Sequence, residues 1–167
     1  MQSDAIQGGN YMIVNHQREG FVFRHPMEDR SRAPKRVYAL YPGVQPSGNW
    51  KIDKTDKGLY VLTANGGTAG YYKHEDGTFV FAFLDGPLGE DARPVDWKIT
   101  KVDTTEGRTG YIVTTKLPDG QPVGWTLSGA AESTFGLPIA VRPLVSTRTE
   151  PPQYLPSEVF EFTYAHQ

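Results

Sequence analysis

The chain has 167 residues, a net charge of −2 and no cysteine, and it is rich in glycine (18) and proline (13). This length suits one domain, the near-neutral charge disfavours nucleic acid and anionic membranes as partners, and the lack of cysteine excludes disulfides and thiolate chemistry. Because the sequence shows neither a leader pattern nor an apolar run of membrane length, we expect a cytoplasmic protein.

A pattern of short strands recurs three times along the chain, at intervals of about 50 residues. Each copy starts with a glycine closely followed by a tyrosine, at Tyr11, Tyr60 and Tyr111. Three further strands rich in aromatic and β-branched residues follow in each copy. The predicted strands are 9–14, 20–23, 36–41 and 50–52 in the first copy, 58–62, 70–73, 78–83 and 97–99 in the second, and 110–113, 124–127, 138–144 and 160–162 in the third.

The fourth strand of each copy carries two large hydrophobic residues separated by one charged residue. Trp50-Lys51-Ile52, Trp97-Lys98-Ile99 and Phe160-Glu161-Phe162 share this pattern. Alternate residues of a strand point to the same side, so both hydrophobic residues face the core while the charged residue faces solvent. The two tryptophans are therefore predicted to be part of a barrel core.

Twelve short strands in three copies predict an all-β protein with the β-trefoil fold, a six-stranded barrel capped by three hairpins. Barrel closure removes the sheet edges that short strands otherwise leave exposed. Three four-stranded blades are too few to close a propeller, and a sandwich gives no reason for three copies. We expect one domain over residues 1–167, with units at about 9–57, 58–103 and 104–167.

Patterns of catalytic or metal-binding residues are not found in the sequence. The four histidines lack metal-ligand spacing, and no nucleotide or cofactor motif occurs, so we expect no metal, no cofactor and no enzymatic activity. The acidic doublets Glu28-Asp29, Glu75-Asp76 and Glu90-Asp91 fall in predicted loops and indicate solvated turns. The Gln-x-Trp signature of common trefoil lectins is missing, although another mode of carbohydrate binding stays an alternative.

The connection between the second and third strands of the first copy, at about 24–36, is long and basic. The same connection in the second copy is a tight turn at Asp76-Gly77, so the fold does not require the longer one. A loop that inhibits a trypsin-like protease needs a basic side chain for the specificity pocket, an extended backbone and stiffness. Arg24 directly follows a predicted strand, and Pro26 restrains the residue before it. We therefore predict that Arg24 enters the pocket.

Neighbouring residues are predicted to support this loop. Phe23 ends the strand, and Glu28 and Asp29 are placed to pair with nearby arginines. Lys54, in the connection after the fourth strand, is the main alternative site. The other competing basic residues are Arg30, Arg32, Lys35, Arg36, Lys57 and Arg148.

Residues 24–37, with Gly9-x-Tyr11 and Trp50-x-Ile52 on either side, resemble the mushroom β-trefoil serine protease inhibitors of the cospin type. In that family an arginine after the second strand is followed by a Glu-Asp pair, a serine and a Pro-Lys-x-Val sequence. The resemblance implies that Arg24 is the P1 residue, which fills the specificity pocket, and that His25 is P1′.

The same resemblance implies a monomeric, cytoplasmic fungal inhibitor that binds a trypsin-like serine protease reversibly and serves in defence. The more distantly similar mycocypin-like trefoils inhibit cysteine proteases through other loops. A Gly-rich turn such as Asn65-Gly66-Gly67 is the corresponding alternative site in this chain.

Overall fold

A computed structural model describes residues 6–18, 20–25, 30–104, 107–129 and 135–165 of the protein. Within these ranges the chain forms thirteen strands and one 3-10 turn, Pro156–Glu158. None of the described segments forms a helix long and apolar enough to span a membrane. The strands are β1 (Gly9–Asn15), β2 (Val22–Arg24), β3 (Lys35–Leu40), β4 (Trp50–Lys54), β5 (Tyr60–Ala64), β6 (Gly67–His74), β7 (Gly77–Phe83), β8 (Ala92–Pro94), β9 (Lys98–Val102), β10 (Gly110–Lys116), β11 (Pro122–Leu127), β12 (Gly136–Arg142) and β13 (Phe160–Tyr164).

Every predicted strand overlaps an observed one, and the all-β prediction is confirmed. The predicted total of twelve is one strand short, because β8 was not anticipated. This strand has three residues, ends in a proline and pairs only with the edge of β6 among the described strands. So short a segment carries no alternation of hydrophobic and polar residues by which a sequence reveals a strand.

Six strands close into a ring through antiparallel pairings. β1 pairs with β4 and β13, β4 pairs with β5, and β10 pairs with β9 and β13. The last gap in the ring is closed where Tyr60 and Trp97 exchange two backbone hydrogen bonds of 2.7 and 2.8 Å. Closure satisfies the backbone groups that an open sheet leaves at its edges.

Three hairpins, β2–β3, β6–β7 and β11–β12, form a cap. Each hairpin contacts the other two, since β3 pairs with β7 and β12, and β7 also pairs with β12. A strand ring with a cap of three hairpins is a trefoil-type architecture. The connection between β2 and β3 therefore lies at the cap. The connection between β12 and β13 runs from the cap to the ring, because β12 belongs to a cap hairpin and β13 to the ring.

Trp125 lies at the centre of the core. The aromatic rings of Trp50, Trp97 and Phe160 surround it, with centroids 6.0, 5.7 and 5.7 Å from the Trp125 ring. All four side chains are buried, as predicted for the two tryptophans. The indole N–H groups of Trp50 and Trp97 donate to backbone carbonyls of β2 and β6 at 2.6 and 3.1 Å, which satisfies both buried donors.

Candidate functional site

Arg24, the residue predicted to enter a protease, is the last residue of β2, and its side chain lies inside the protein. It is 2% exposed, and its Nη1 donates to the carbonyl oxygens of Ala64 and Asn65 at 3.1 and 2.9 Å. The prediction that the fold displays Arg24 is therefore wrong. The reason is that β2 is buried throughout, so its last residue is held in the ladder opposite Val37 instead of leaving the scaffold.

His25 begins the connection between β2 and β3, which covers residues 25–34 and is called the β2–β3 loop below. Its backbone N–H donates to Arg36 O at 2.8 Å, and its ring packs against Phe135 and Tyr38 with centroids 4.5 and 5.9 Å apart. His25 thus ties the base of this loop to β3 of its own hairpin and to the connection between β11 and β12. Of the residues predicted to support the loop, Phe23 is buried against Trp50, whereas Pro26, Glu28 and Asp29 lie outside the described residues.

The other basic residues of this region divide into inward and outward sets. Lys35 is buried and donates to Ser31 Oγ at 3.0 Å, and Arg36 lies over the rings of Phe79 and Phe81 at 4.5 and 5.1 Å. Arg30 and Arg32, in contrast, are exposed. The loop therefore displays cations at residues 30 and 32, whereas the two basic residues that begin β3 make internal contacts.

Arg32 pairs with Asp85, which lies just after β7. The Arg32 Nε donates to the two carboxylate oxygens at 3.0 and 3.2 Å, and both side chains remain more than half exposed. The hydrogen bond from Arg32 lowers the pKa of the Asp85 carboxyl and raises the pKa of the Arg32 guanidinium. Because both groups are exposed, this pair holds the loop only weakly against competing partners.

The two alternative sites are compact turns. Lys54 is exposed, but its backbone pairs with Tyr60 in the β4–β5 ladder, and the Thr55 N–H and hydroxyl close the connection onto Leu59 at 2.8 and 3.1 Å. Asn65 and Gly66 have φ angles of 47° and 82° and form a two-residue turn. Lys54 thus lies at the end of a strand beside a closed connection, and Asn65-Gly66 is the tight turn of the β5–β6 hairpin.

The described residues contain no cluster of histidine and acidic side chains able to hold a metal ion. The doublets Glu75-Asp76 and Glu90-Asp91 are exposed or at the surface of turns, as predicted from their surroundings, and Glu28-Asp29 lies outside the described residues.

The connection between β12 and β13 contains a further arginine, Arg148, which the sequence analysis named among the competing basic residues. Arg148 is exposed within a short closed loop, residues 147–153. The loop is closed by the Thr147 N–H, which donates to Gln153 O at 2.9 Å. Sequence alone offered Arg148 as one of several competing basic residues, because the hydrogen bonds that order its surroundings join residues that are six positions apart.

Comparison with known proteins identifies relatives over nearly the whole chain. A serine protease inhibitor of Lentinula edodes is 31% identical over 157 residues, which is 94% of this chain and 96% of the relative. The structure of a proteinase inhibitor from Coprinopsis cinerea matches with a TM-score of 0.75 and 28% identity, covering 96% of this chain and all of the other. Trypsin inhibitor 1 from Senna obtusifolia shares the fold at a TM-score of 0.64, with 11% identity over 96% of this chain and 92% of the other.

The family described as peptidase inhibitor I66 matches residues 4–164. The resemblance to fungal inhibitors of the cospin type is thereby confirmed, and the relatives are inhibitors and not enzymes. This protein belongs to the peptidase inhibitor I66 family.

Proposed function

We propose that this protein is a reversible inhibitor of trypsin-like serine proteases and that an arginine of the β2–β3 loop enters the specificity pocket of the enzyme. The observation that carries the proposal is the display of two arginines, Arg30 and Arg32, on a loop that the fold does not require. The name of the Lentinula relative supports a serine protease as the target. A guanidinium suits a pocket that ends in a carboxylate, as in trypsin-like enzymes.

Arg32 is the residue that this geometry favours. Its φ angle is not positive, whereas Arg30 has a φ of 62°, which an extended, substrate-like backbone does not adopt. The exposed pairing with Asp85 is readily exchanged for a buried carboxylate in a protease. Arg24, followed by His25, remains the alternative that the family resemblance suggests, and its insertion would require withdrawal of the guanidinium from two backbone carbonyls.

Mapping of the reactive bond tests which arginine is used. A substrate-like inhibitor is cleaved slowly at one peptide bond by catalytic amounts of protease, and mass spectrometry identifies the new termini. We expect a new N-terminus at Ala33 after incubation with trypsin at mildly acid pH. A new N-terminus at Ser31 or His25 would instead assign the pocket to Arg30 or Arg24.

Substitution tests the same assignment in binding. We expect Arg32→Ala to raise the inhibition constant of the β2–β3 site by about 100-fold or more, because an arginine seated in a pocket dominates interface energetics. Arg93→Ala, an exposed arginine on β8, is the matched control and is expected to inhibit like the parent chain. Unchanged inhibition by the Arg24, Arg30 and Arg32 variants alike would contradict the β2–β3 assignment.

We also infer the three-unit organisation of one domain, with units at about 9–57, 58–103 and 104–167. The bonds of Trp50 and Trp97 support it, because each indole reaches a carbonyl 28 residues earlier in its own unit. The convergence of Trp50, Trp97 and Phe160 on Trp125 supports the third unit. The likeness to the mushroom inhibitors further supports a monomeric, cytoplasmic protein with a defensive role.

A further inference from the structure

The connection between β12 and β13, residues 143–159, presents Arg148 to solvent at its tip. The side chains from Val145 to Pro151 are all exposed, and Arg148 forms no ion pair with any residue in the described ranges. We call residues 147–153 the Arg148 loop. Two consecutive prolines, Pro151 and Pro152, restrict its backbone before any partner binds.

A chain of hydrogen bonds runs through the Arg148 loop. The Gln153 N–H donates to Thr147 Oγ1 at 2.8 Å, Thr147 and Thr149 share a hydroxyl–hydroxyl bond of 2.6 Å, and the Thr149 hydroxyl donates to Pro151 O at 2.9 Å. Each hydroxyl has one proton to donate. Since the Thr149 hydroxyl donates its proton to Pro151 O, the Thr147 hydroxyl must be the donor to Thr149. The donors therefore run in one order, from Gln153 N–H to Thr147, from Thr147 to Thr149 and from Thr149 to Pro151.

The base of the same connection is held by a buried carboxylate. Glu158, 2% exposed, accepts hydrogen bonds from Val145 N–H at 2.5 Å and from Leu155 N–H at 3.1 Å. Just above it, Ser146 and Tyr154 form an antiparallel bridge. The two sides of the connection are thus joined through Glu158 at 145 and 155, and directly at 146 and 154 and at 147 and 153. Arg148 lies above these three links.

We propose that the Arg148 loop is a second reactive site for trypsin-like serine proteases, with Arg148 in the specificity pocket and the Arg148–Thr149 peptide at the catalytic serine. Two features of the loop suit this role. Arg148 is exposed and has no carboxylate partner among the described residues, and the two threonines on either side of it are hydrogen-bonded to each other. The inference shares the protease class of the proposed function but does not depend on the β2–β3 loop.

The hydroxyl chain explains how this site would inhibit rather than be digested. Attack of the catalytic serine on the Arg148 carbonyl forms an ester, breaks the bond to Thr149 nitrogen and transfers the serine proton, through histidine, to the new Thr149 amine. The bonds from Thr147 to Thr149 and to Gln153 keep that amine beside the ester. The amine then attacks the ester, the peptide bond re-forms and the proton returns to the serine.

Stoichiometry is the first test of the second site. We expect one parent chain to bind two molecules of active-site-titrated trypsin, observed by native mass spectrometry and by inhibition titration. Arg148→Ala and the double variant Arg30→Ala/Arg32→Ala should each bind one, and the triple variant should bind none. Arg148→Ala is expected to have the same unfolding temperature as the parent chain, because the side chain is exposed and has no ion pair with any described residue.

The outcomes separate the two sites. If Arg148→Ala inhibits and binds as the parent does, and no new N-terminus appears at Thr149, the second site is overturned while the β2–β3 proposal stands. If Arg148→Ala alone abolishes inhibition and the double variant behaves as the parent, the Arg148 site is supported and the β2–β3 assignment fails.

A second variant tests the bracing hydroxyls without removing the arginine. Thr147→Val keeps the β-branched shape but removes the hydroxyl that accepts from Gln153 and donates to Thr149. We expect trypsin to hydrolyse the Arg148–Thr149 bond at least about 10-fold faster in this variant, because the new amine is no longer held for resynthesis. Thr115→Val, on β10, is the control. Equal hydrolysis rates in the parent and Thr147→Val would overturn the resynthesis mechanism.

Discussion

The β2–β3 loop and the Arg148 loop both present arginine, but different kinds of residue make the contacts that hold the two loops in place. In the β2–β3 region, Arg24, Lys35 and Arg36 face inward and bind carbonyl, hydroxyl or aromatic groups. In the Arg148 loop, threonine hydroxyls make the internal bonds, the Glu158 carboxylate holds the chain at its base, and the basic residue of the loop is exposed to solvent. A dense cluster of basic residues therefore does not by itself identify the one that a loop displays.

The physical reason lies in what each side chain can satisfy. An arginine has five N–H donors and a long hydrocarbon stem, so it can join separate backbone segments inside a protein when carbonyl oxygens are available. Threonine hydroxyls are short and hold only the chain close to them. A loop braced by threonines consequently leaves its arginine exposed, whereas in the β2–β3 region some basic residues are used for internal contacts and only Arg30 and Arg32 are exposed.

The largest expected effect distinguishes the buried arginine from the displayed one. Arg24→Met should lower the free energy of unfolding by about 3 kcal/mol, because it removes charge-assisted hydrogen bonds and leaves two carbonyls without their donor. Urea unfolding followed by tryptophan fluorescence measures this loss. Arg148→Met, the same chemical change at an exposed position, is the control and should leave the unfolding midpoint unchanged.

Equal midpoints for Arg24→Met and Arg148→Met would mean that Arg24 is displayed in solution. That result would restore the insertion of Arg24 as the leading explanation of protease binding.

A smaller effect is expected from the carboxylate at the base of the Arg148 loop. Glu158→Gln replaces one of two acceptor oxygens by an amide donor, so one of the N–H groups at Val145 and Leu155 loses its partner. We expect a loss of about 1–3 kcal/mol in the free energy of unfolding. The Arg148 site should weaken with it, whereas Glu150→Gln, which changes an exposed carboxylate, should leave the free energy of unfolding unchanged.

A Glu158→Gln variant as stable as Glu150→Gln would contradict the assigned role of the carboxylate. Native mass spectrometry with trypsin then shows whether binding at the Arg148 site requires the hydrogen bonds that Glu158 accepts.

The smallest effect concerns the exposed pair between Arg32 and Asp85. Because Arg32 lowers the pKa of the Asp85 carboxyl, the pair contributes stability that is complete above the unfolded carboxyl pKa of about 3.9. That contribution is lost as the pH falls through the lower pKa of the folded state. An NMR titration of the Asp85 carboxyl should show a midpoint below about 3.9, which Arg32→Ala returns to the ordinary value.

If the Asp85 midpoint is the same in the parent chain and in Arg32→Ala, the two side chains do not pair in solution. Arg32 would then be as unrestrained as Arg148, and the contrast between the two loops would be reduced to Arg24, Lys35 and Arg36.

The prediction of the scaffold from sequence succeeded because its evidence is local and repeated. Trp50 and Trp97 recur with the same neighbours, and strand alternation places them in the core whatever the rest of the chain does. The expected display of Arg24 on the surface was wrong, because a one-residue extension of β2 buries the side chain. Nothing in the sequence around Arg24 marks the carbonyls of Ala64 and Asn65, some 40 residues away, as its partners.

The amino-acid sequence alone thus determined the all-β scaffold and its likeness to fungal protease inhibitors, since both depend on residue periodicity or on contiguous motifs. Only the tertiary structure decided which arginines face inward and which connection is braced. Those properties depend on hydrogen bonds between distant segments, such as Arg24 with the β5–β6 turn and Glu158 with both sides of the Arg148 loop. Such bonds leave no periodic signal in the chain, because each is made once.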